Sequence, residues 1–507
     1  MPHLRLATLL ALTASLPAQT PKQAPTPAQI PAPPPPTAVS RYIKVPSAET
    51  ILLTHVRVID GTGATPLEDQ TITLHNGKIA SLTPSAATQH TPANAVVLDL
   101  TGRTVIPGIV GMHDHMYYIA RPNADAEGHS EPPLVIPQMT FTSPHLYLGA
   151  GVTTLRTTGS VEPYTDLNLK SQIDAGRIPG PHMDVTAPYL EGANSPFIQM
   201  HQLRDADDAR RTVEFWIDQG ATSFKAYMNI TRAELGAAIE VAHKHGLKLT
   251  GHLCSVTYPE AAELGIDNLE HGFFVNTQLD PNKQPDTCPP TVGGPTLARM
   301  SAGSPEAAAL IHLLVQHHVA LTSTLPVFES SDPRHLHLQQ RVLDTMSPPT
   351  REAYLNTRNL ELTRNPELTR NPSPGSIDRA QNFRNGMALE RQFVAAGGLL
   401  LAGPDPTGDG GVLPGFGDQR EIELLVDAGF TPIEAIKIAT LNGATYLGRE
   451  KSIGSITPGK NADLVVVRGD PSKDISNIEN TEIVFKDGAG YDSQKLLDST
   501  KGRYGQY

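Results

Sequence analysis

The chain has 507 residues, 39% of them hydrophobic, enough to bury a large core in more than one domain. Its formal net charge is −12 and it has no basic stretch to neutralise phosphates, which argues against a nucleic-acid partner. Two cysteines rule out a disulfide framework; one bridge is open to them, but Cys254 lies in an apolar strand and is expected as a buried thiol.

Residues 1–18 read as a signal peptide, with Arg5 followed by the apolar run Leu6 to Leu16 and small residues after it. That run is too short to span a bilayer, and no cysteine follows the cut to carry a lipid anchor. The expected location is periplasmic or secreted. Residues 19–42, rich in Pro, Ala, Gln and Thr, read as an extended linker.

Residues 43–104 carry strand signals: Ile51 to Ile59, Thr71 to Leu74, Lys78 to Leu82 and Val96 to Leu100. Asn76-Gly77 between two of them is a strong hairpin signal. A matching set lies in residues 448–507, with Ala462 to Val467, Ile483 to Phe485 and the turn Asp487-Gly488. One small β-sandwich built from both chain ends is expected, with residues 105–447 inserted as a separate domain.

The inserted part alternates short apolar strands with helical stretches, the pattern of a parallel α/β fold. Its first strand is read as Val105 to Val110, running into Met112-His113-Asp114-His115. Seven more follow: Thr153 to Arg156, Met183 to Thr186, Ser223 to Tyr227, Leu247 to His252, Asn268 to His271, Val319 to Thr324 and Gly398 to Ala402. Helices are expected over Asp205 to Gln219 and Arg232 to His245. Eight parallel strands with helices between them make a (β/α)8 TIM barrel, whose chemistry sits at the C-terminal strand ends. Two segments break the pattern: Asn276 to Gly303 reads as a long loop, and Glu329 to Ser376 as a helical or loop insertion containing a tandem Glu-Leu-Thr-Arg-Asn-Pro.

Residues i and i+2 on a strand face the same side, so His113 and His115 leave theirs as two adjacent imidazoles. Lys225, His252, His271 and Asp405 also fall at strand ends, so the barrel brings all six to one mouth. Any one alone is ordinary: a lone histidine is usually a satisfied hydrogen-bond partner, and Asp405 could cap a helix. Together they have the residue types of a metal site.

At this point the chain resembles the amidohydrolase superfamily of metal-dependent hydrolases, in particular its prolidase-like and imidazolonepropionase-like branch. The resembling pieces are Pro107 to His115, Gly151 to Arg156, Phe224 to Tyr227, Ala242 to Gly246 with Gly251-His252, and Glu270-His-Gly272. Ala402 to Asp405, Thr440 to Ala444 and Gly454 to Asp463 complete the set. The resemblance implies that His113, His115 and Asp405 bind one divalent ion and that His252 and His271 bind a second. It implies that Lys225 carries a carbamate bridging both. Zinc suits these donors best, with Mn, Co or Fe as alternatives.

The implied chemistry is attack by metal-activated water on an amide, with Asp405 as proton shuttle. Tyr227 lies two residues beyond Lys225 and is expected to contact substrate, or else to be a packed barrel tyrosine. Pro404 stands where the family has Thr or Ser, and Thr157-Thr-Gly159 replaces the usual Asp-x-Gly. These departures weaken close substrate analogies. The expected substrate is a dipeptide of Xaa-Pro type or an N-acyl amino acid. The alternatives are a mononuclear cyclic amidase or deacetylase, a lactonase, and a non-catalytic metal-binding barrel. A deaminase is disfavoured, because Leu253 to Val256 holds no carboxylate to shuttle protons. A homo-oligomer is compatible with the sequence.

Overall fold

The computed structural model describes residues 37–87, 91–118, 135–195, 197–331, 338–364, 378–407 and 411–506. The expected signal peptide and nearly all of the linker lie outside these residues, as does most of the tandem repeat.

Strands from both chain ends form one nine-stranded sheet. The N-terminal part supplies Ile43–Val45, Thr50–Val58, Leu67–His75, Lys78–Pro84, Val96–Asp99 and Arg103–Pro107. The C-terminal part supplies Leu464–Arg468, Thr481–Lys486 and Ala489–Asp492. Its centre is the antiparallel pairing of Arg103–Pro107 with Leu464–Arg468, which joins the two ends. Ile51, Leu53, Ile72, Val105, Leu464, Val466 and Phe485 share one buried cluster. Along Thr50–Val58 the buried set shifts from Ile51 and Leu53 to Val56 and Val58. A register shift between Leu53 and Val56, with His55 at φ 55°, inserts the residue that keeps both pairs inward.

Two tight turns of this sheet press on each other. Asn76 and Gly77 have φ of 48° and 75°, and Asp487 and Gly488 have 51° and 80°. A Cβ on Gly488 would lie 2.7 Å from the Gly77 Cα. Glycine is therefore required there twice over, for conformation and for space.

The barrel strands are β1 (Ile109–Gly111), β2 (Val152–Arg156), β3 (His182–Asp184), β4 (Ser223–Ala226), β5 (Lys248–Gly251), β6 (Asn268–Glu270), β7 (Ala320–Ser323) and β8 (Leu400–Ala402). β1–β3 pair in parallel, as do β4–β8. A parallel bridge from Thr186 to Ser223 joins β3 to β4. Met112 N donates to Ala402 O and Asp405 N to His113 O, closing β8 against β1. Helices cover the connections; Ala206–Gln219 is capped by Asp205, and Arg232–Lys244 opens with a Thr231/Glu234 capping box.

Three expectations need correction. Val105 to Val110 is not one strand: Arg103–Pro107 pairs in the terminal sheet and Ile109–Gly111 in the barrel. Gly108 is the crossing point, its N–H donating to Asp463 O across the junction. The run is broken only by Pro107-Gly108, and its apolar residues on either side hide the change of partner, since both sheets bury them. Second, Cys254 is not a free thiol but is bonded to Cys288, 34 residues on. Cys288 belongs to a loop whose path only the tertiary fold decides, so the bridge open to the two cysteines had no local signal in its favour. Third, that loop is not structureless: it includes the helix Gly294–Arg299.

Candidate metal centre

All six side chains singled out from the sequence reach the C-terminal mouth of the barrel. His113 and His115 follow β1, Lys225 is on β4, His252 follows β5, His271 follows β6 and Asp405 follows β8. Gly403 makes the last of these fit: a Cβ there would lie 2.2 Å from His113 N, so only glycine lets β8 press this closely on β1. Asp405 and His271 are held at φ 54° and 67°, a left-handed conformation that non-glycine residues seldom adopt. Such strain concentrates at functional sites.

The distances define a compact group. Asp405 Oδ1 lies 3.1 Å from His115 Nε2 and 3.5 Å from His113 Nε2, and its Oδ2 lies 3.9 Å from His271 Nδ1. Lys225 Nζ is 3.2 Å from His113 Nε2. The His271 ring centroid is 4.7 Å from that of His113 and 4.4 Å from that of His252. His113, His115 and Asp405 each place one donor atom within 4.8 Å of the others.

Behind these groups lies a layer the sequence reading did not assign. His113 Nδ1 is 2.7 Å from Glu270 Oε2, His115 Nδ1 is 3.1 Å from Thr157 O, and His271 Nδ1 is 2.8 Å from Thr324 Oγ1. With Nδ1 so engaged, Nε2 is the nitrogen left for a ligand bond. On His271 that Nε2 is buried and makes no hydrogen bond among the described residues. A buried imidazole nitrogen left without a hydrogen-bond partner is suited to a ligand bond.

Glu270 anchors this layer. Its Oε1 accepts from Arg156 Nη2 at 2.8 Å, from Asn268 Nδ2 at 2.8 Å and from the Thr250 hydroxyl. Burial alone would push the Glu270 carboxyl up, but Arg156, His113 and Lys225 outweigh it and keep it ionised. Asn268 and Glu270 are two polar residues at i and i+2 on a buried strand; that pattern was the available signal. Arg156 also bonds the carbonyl of Met112, tying β2 to the turn that carries both histidines.

Burial dominates the remaining electrostatics. It lowers His113 to about 4 and His252 and His271 well below their usual range, so these imidazoles are neutral at pH 7. Neutral imidazole is the form that binds a metal. Burial likewise lowers Lys225 to about 8. Asp405 is raised by burial but more strongly lowered by His113, His115 and His271, and stays a carboxylate.

An aromatic wall flanks the group. Tyr227 is half-buried, its ring 5.0 Å from His252 and 4.8 Å from Tyr189. Tyr117 stacks on His115 at 4.4 Å, and its hydroxyl meets that of Tyr189. Opposite, Phe328 lies 5.8 Å from His271 and stacks on Phe274. Tyr227 thus packs on Tyr189 and His252 at the edge of this group.

Comparison with known proteins follows the same lines. Residues 411–489 match the family described as "Amidohydrolase family". An adenine deaminase of Ruegeria sp. (strain TM1040) is 47% identical over 48 residues, 10% of this chain and 8% of that protein. An imidazolonepropionase of Clostridium tetani is 32% identical over 109 residues, 20% of this chain and 25% of that protein. The chain thus matches well under half the length of these curated relatives. Among solved structures, a candidate prolidase from Bifidobacterium longum superposes with a TM-score of 0.60 at 24% identity, covering 90% of this chain and 100% of that one. A Xaa-Pro dipeptidase with bound methionine gives 0.63 at 19% identity, covering 87% and 100%. At these identities the likeness is one of fold. Residues 411–489 thus match the amidohydrolase family model, and the fold over most of the chain is shared with these solved structures.

Proposed function

We propose that the protein is a metal-dependent hydrolase of amide C–N bonds, acting on a dipeptide of Xaa-Pro type or an N-acyl amino acid. The supporting observation is that His113 and His115 each have Nδ1 engaged and turn Nε2 toward Asp405, with Lys225 beside His113 and the His271 ring packed against His113. His113, His115 and Asp405 would hold one divalent ion, and His252 and His271 a second, with zinc suited to these donors. Bound ions would supply Lewis acidity and a water of lowered pKa.

The chain's own groups do the rest. Lys225, 1% exposed and lowered to about 8, has an appreciable neutral fraction. A neutral amine adds to carbon dioxide with loss of one proton, becoming an anionic carbamate suited to bridging two cations. Asp405, ionised at the rim of the group, accepts the proton of the attacking water and passes it to the departing amine. Tyr227 borders the same space and is assigned to orient the substrate. The aromatic wall limits water around the scissile bond.

A mononuclear site is the second reading, because His113, His115 and Asp405 form the tight donor cluster without His252 or His271. Metal analysis combined with a panel of dipeptides and N-acyl amino acids tests both. Two ions per chain when zinc and bicarbonate are supplied, with Xaa-Pro or N-acyl hydrolysis, is the expected result. A single ion that bicarbonate does not raise would remove the bridging role of Lys225.

We also infer export. Residues 1–18 have the charge and apolar pattern of a signal peptide, and the Cys254–Cys288 bond suits an oxidising compartment. Sequencing the N-terminus of the native protein should find a start near Gln19; an intact Met1 would refute it.

A further inference from the structure

Residues 276–303, which follow His271, fold back onto the chain that leaves His252. Thr277 Oγ1 donates to Cys254 O at 2.8 Å, and Lys283 Nζ donates to Ser255 O at 2.6 Å. Asp286 accepts from Arg232 N and Nε at 2.8 and 3.0 Å, fastening the loop to the helix between β4 and β5. The Cys254–Cys288 bond adds a covalent tie, with Cα atoms 4.8 Å apart. Asp280 organises the loop from within, bonding Thr291, Gly293 and Thr296. Three of these ties end on Cys254 or Ser255, two and three residues beyond His252. His113, His115 and Asp405 make no hydrogen bond or ion pair with the loop among the described residues; their polar partners include Glu270, Thr157 and each other.

We propose that the Cys254–Cys288 bond and the loop it anchors are positioning elements for the His252–His271 half of the centre alone. This rests on the two-ion reading above. The bond sets where the chain leaves β5, and so where the His252 ring stands against His271, 4.4 Å between centroids. Reduction by a dithiol breaks the S–S bond, yields two thiols and oxidises the reductant to its cyclic disulfide. The protein should then keep its first ion and bind the second less tightly. Mutations in residues that orient metal ligands cost roughly 10–100-fold in affinity.

The test uses full-length protein with zinc as the probe, comparing wild type with the Cys254→Ser/Cys288→Ser double variant. Zinc per chain is measured against graded chelator, and amide hydrogen exchange at residues 252–256 is measured on metal-free protein. The expected outcome is a first ion of unchanged affinity, a second weakened roughly 10–100-fold, and faster exchange over 252–256. Should the double variant fail to accumulate, Lys283→Met removes another tie and is expected to shift the same two readouts in the same direction. Unchanged second-ion affinity together with unchanged exchange would overturn the proposal. If wild type takes up only one ion, the two-ion reading fails instead, and the exchange measurement still judges the loop.

Discussion

The two halves of the centre are built differently. On the β1/β8 side, His113 rests on Glu270, which is itself bonded by Arg156, Asn268 and Thr250; His115 rests on a backbone carbonyl. On the β5/β6 side, His271 has one hydroxyl partner, Thr324, and the half-buried His252 makes ring contacts with Tyr227 and His271. The first half is rigid through a buried ionic network; the second depends on packing and on a cross-linked loop. Their metal affinities should differ accordingly.

The largest effect is expected at the group between the halves. Asp405→Asn keeps a coordinating oxygen but removes the proton acceptor, so kcat should fall ~10²–10⁴-fold at matched metal content. Activity within a few-fold of wild type would mean that proton transfer runs elsewhere. Next comes Glu270→Gln, which leaves the buried Arg156 guanidinium without its carboxylate. Breaking a buried pair typically costs about 3–5 kcal/mol, read by denaturant unfolding of the metal-free protein. The same substitution should weaken the first ion roughly 10–100-fold. If the second ion suffers instead, the comparison is inverted.

Chelator titration should show two separated steps, with the ion lost first belonging to His252 and His271. Lys225→Ala should remove that early step altogether, seen as zinc per chain falling toward one. The smallest change is expected from Tyr227→Phe. Loss of its hydroxyl should raise KM by roughly tenfold or less, about the worth of one hydrogen bond. A collapse of kcat would move Tyr227 from orientation to chemistry.

Much of this was legible in the sequence. The eight strand positions and the six convergent side chains follow from periodicity, because strand ends of a barrel share one mouth wherever they occur in the chain. The unassigned parts depend on what a residue meets across the fold. Glu270 stood next to a named histidine, yet its partners Arg156 and His113 are 114 and 157 residues away. The division of Val105 to Val110 between two sheets depends on hydrogen-bond partners, and either strand would show the same apolar pattern. Cys288 lies among Pro, Thr and Gly, where local signals do not say which strand end the loop will return to.

The pairing of Arg103–Pro107 with Leu464–Arg468 also has a consequence for how the molecule is made. Thr104 bonds Gly469 across a separation of 365 residues, and the barrel lies between them. During synthesis the N-terminal strands must wait, with one edge unsatisfied, until nearly the whole chain has emerged. Such long-range pairing is slow, and an open strand edge invites association with other chains. A nascent chain stalled before Leu464 would hold a nearly complete barrel beside a sheet that cannot close. Production of the protein should therefore depend on chaperone supply more than its compact native form suggests.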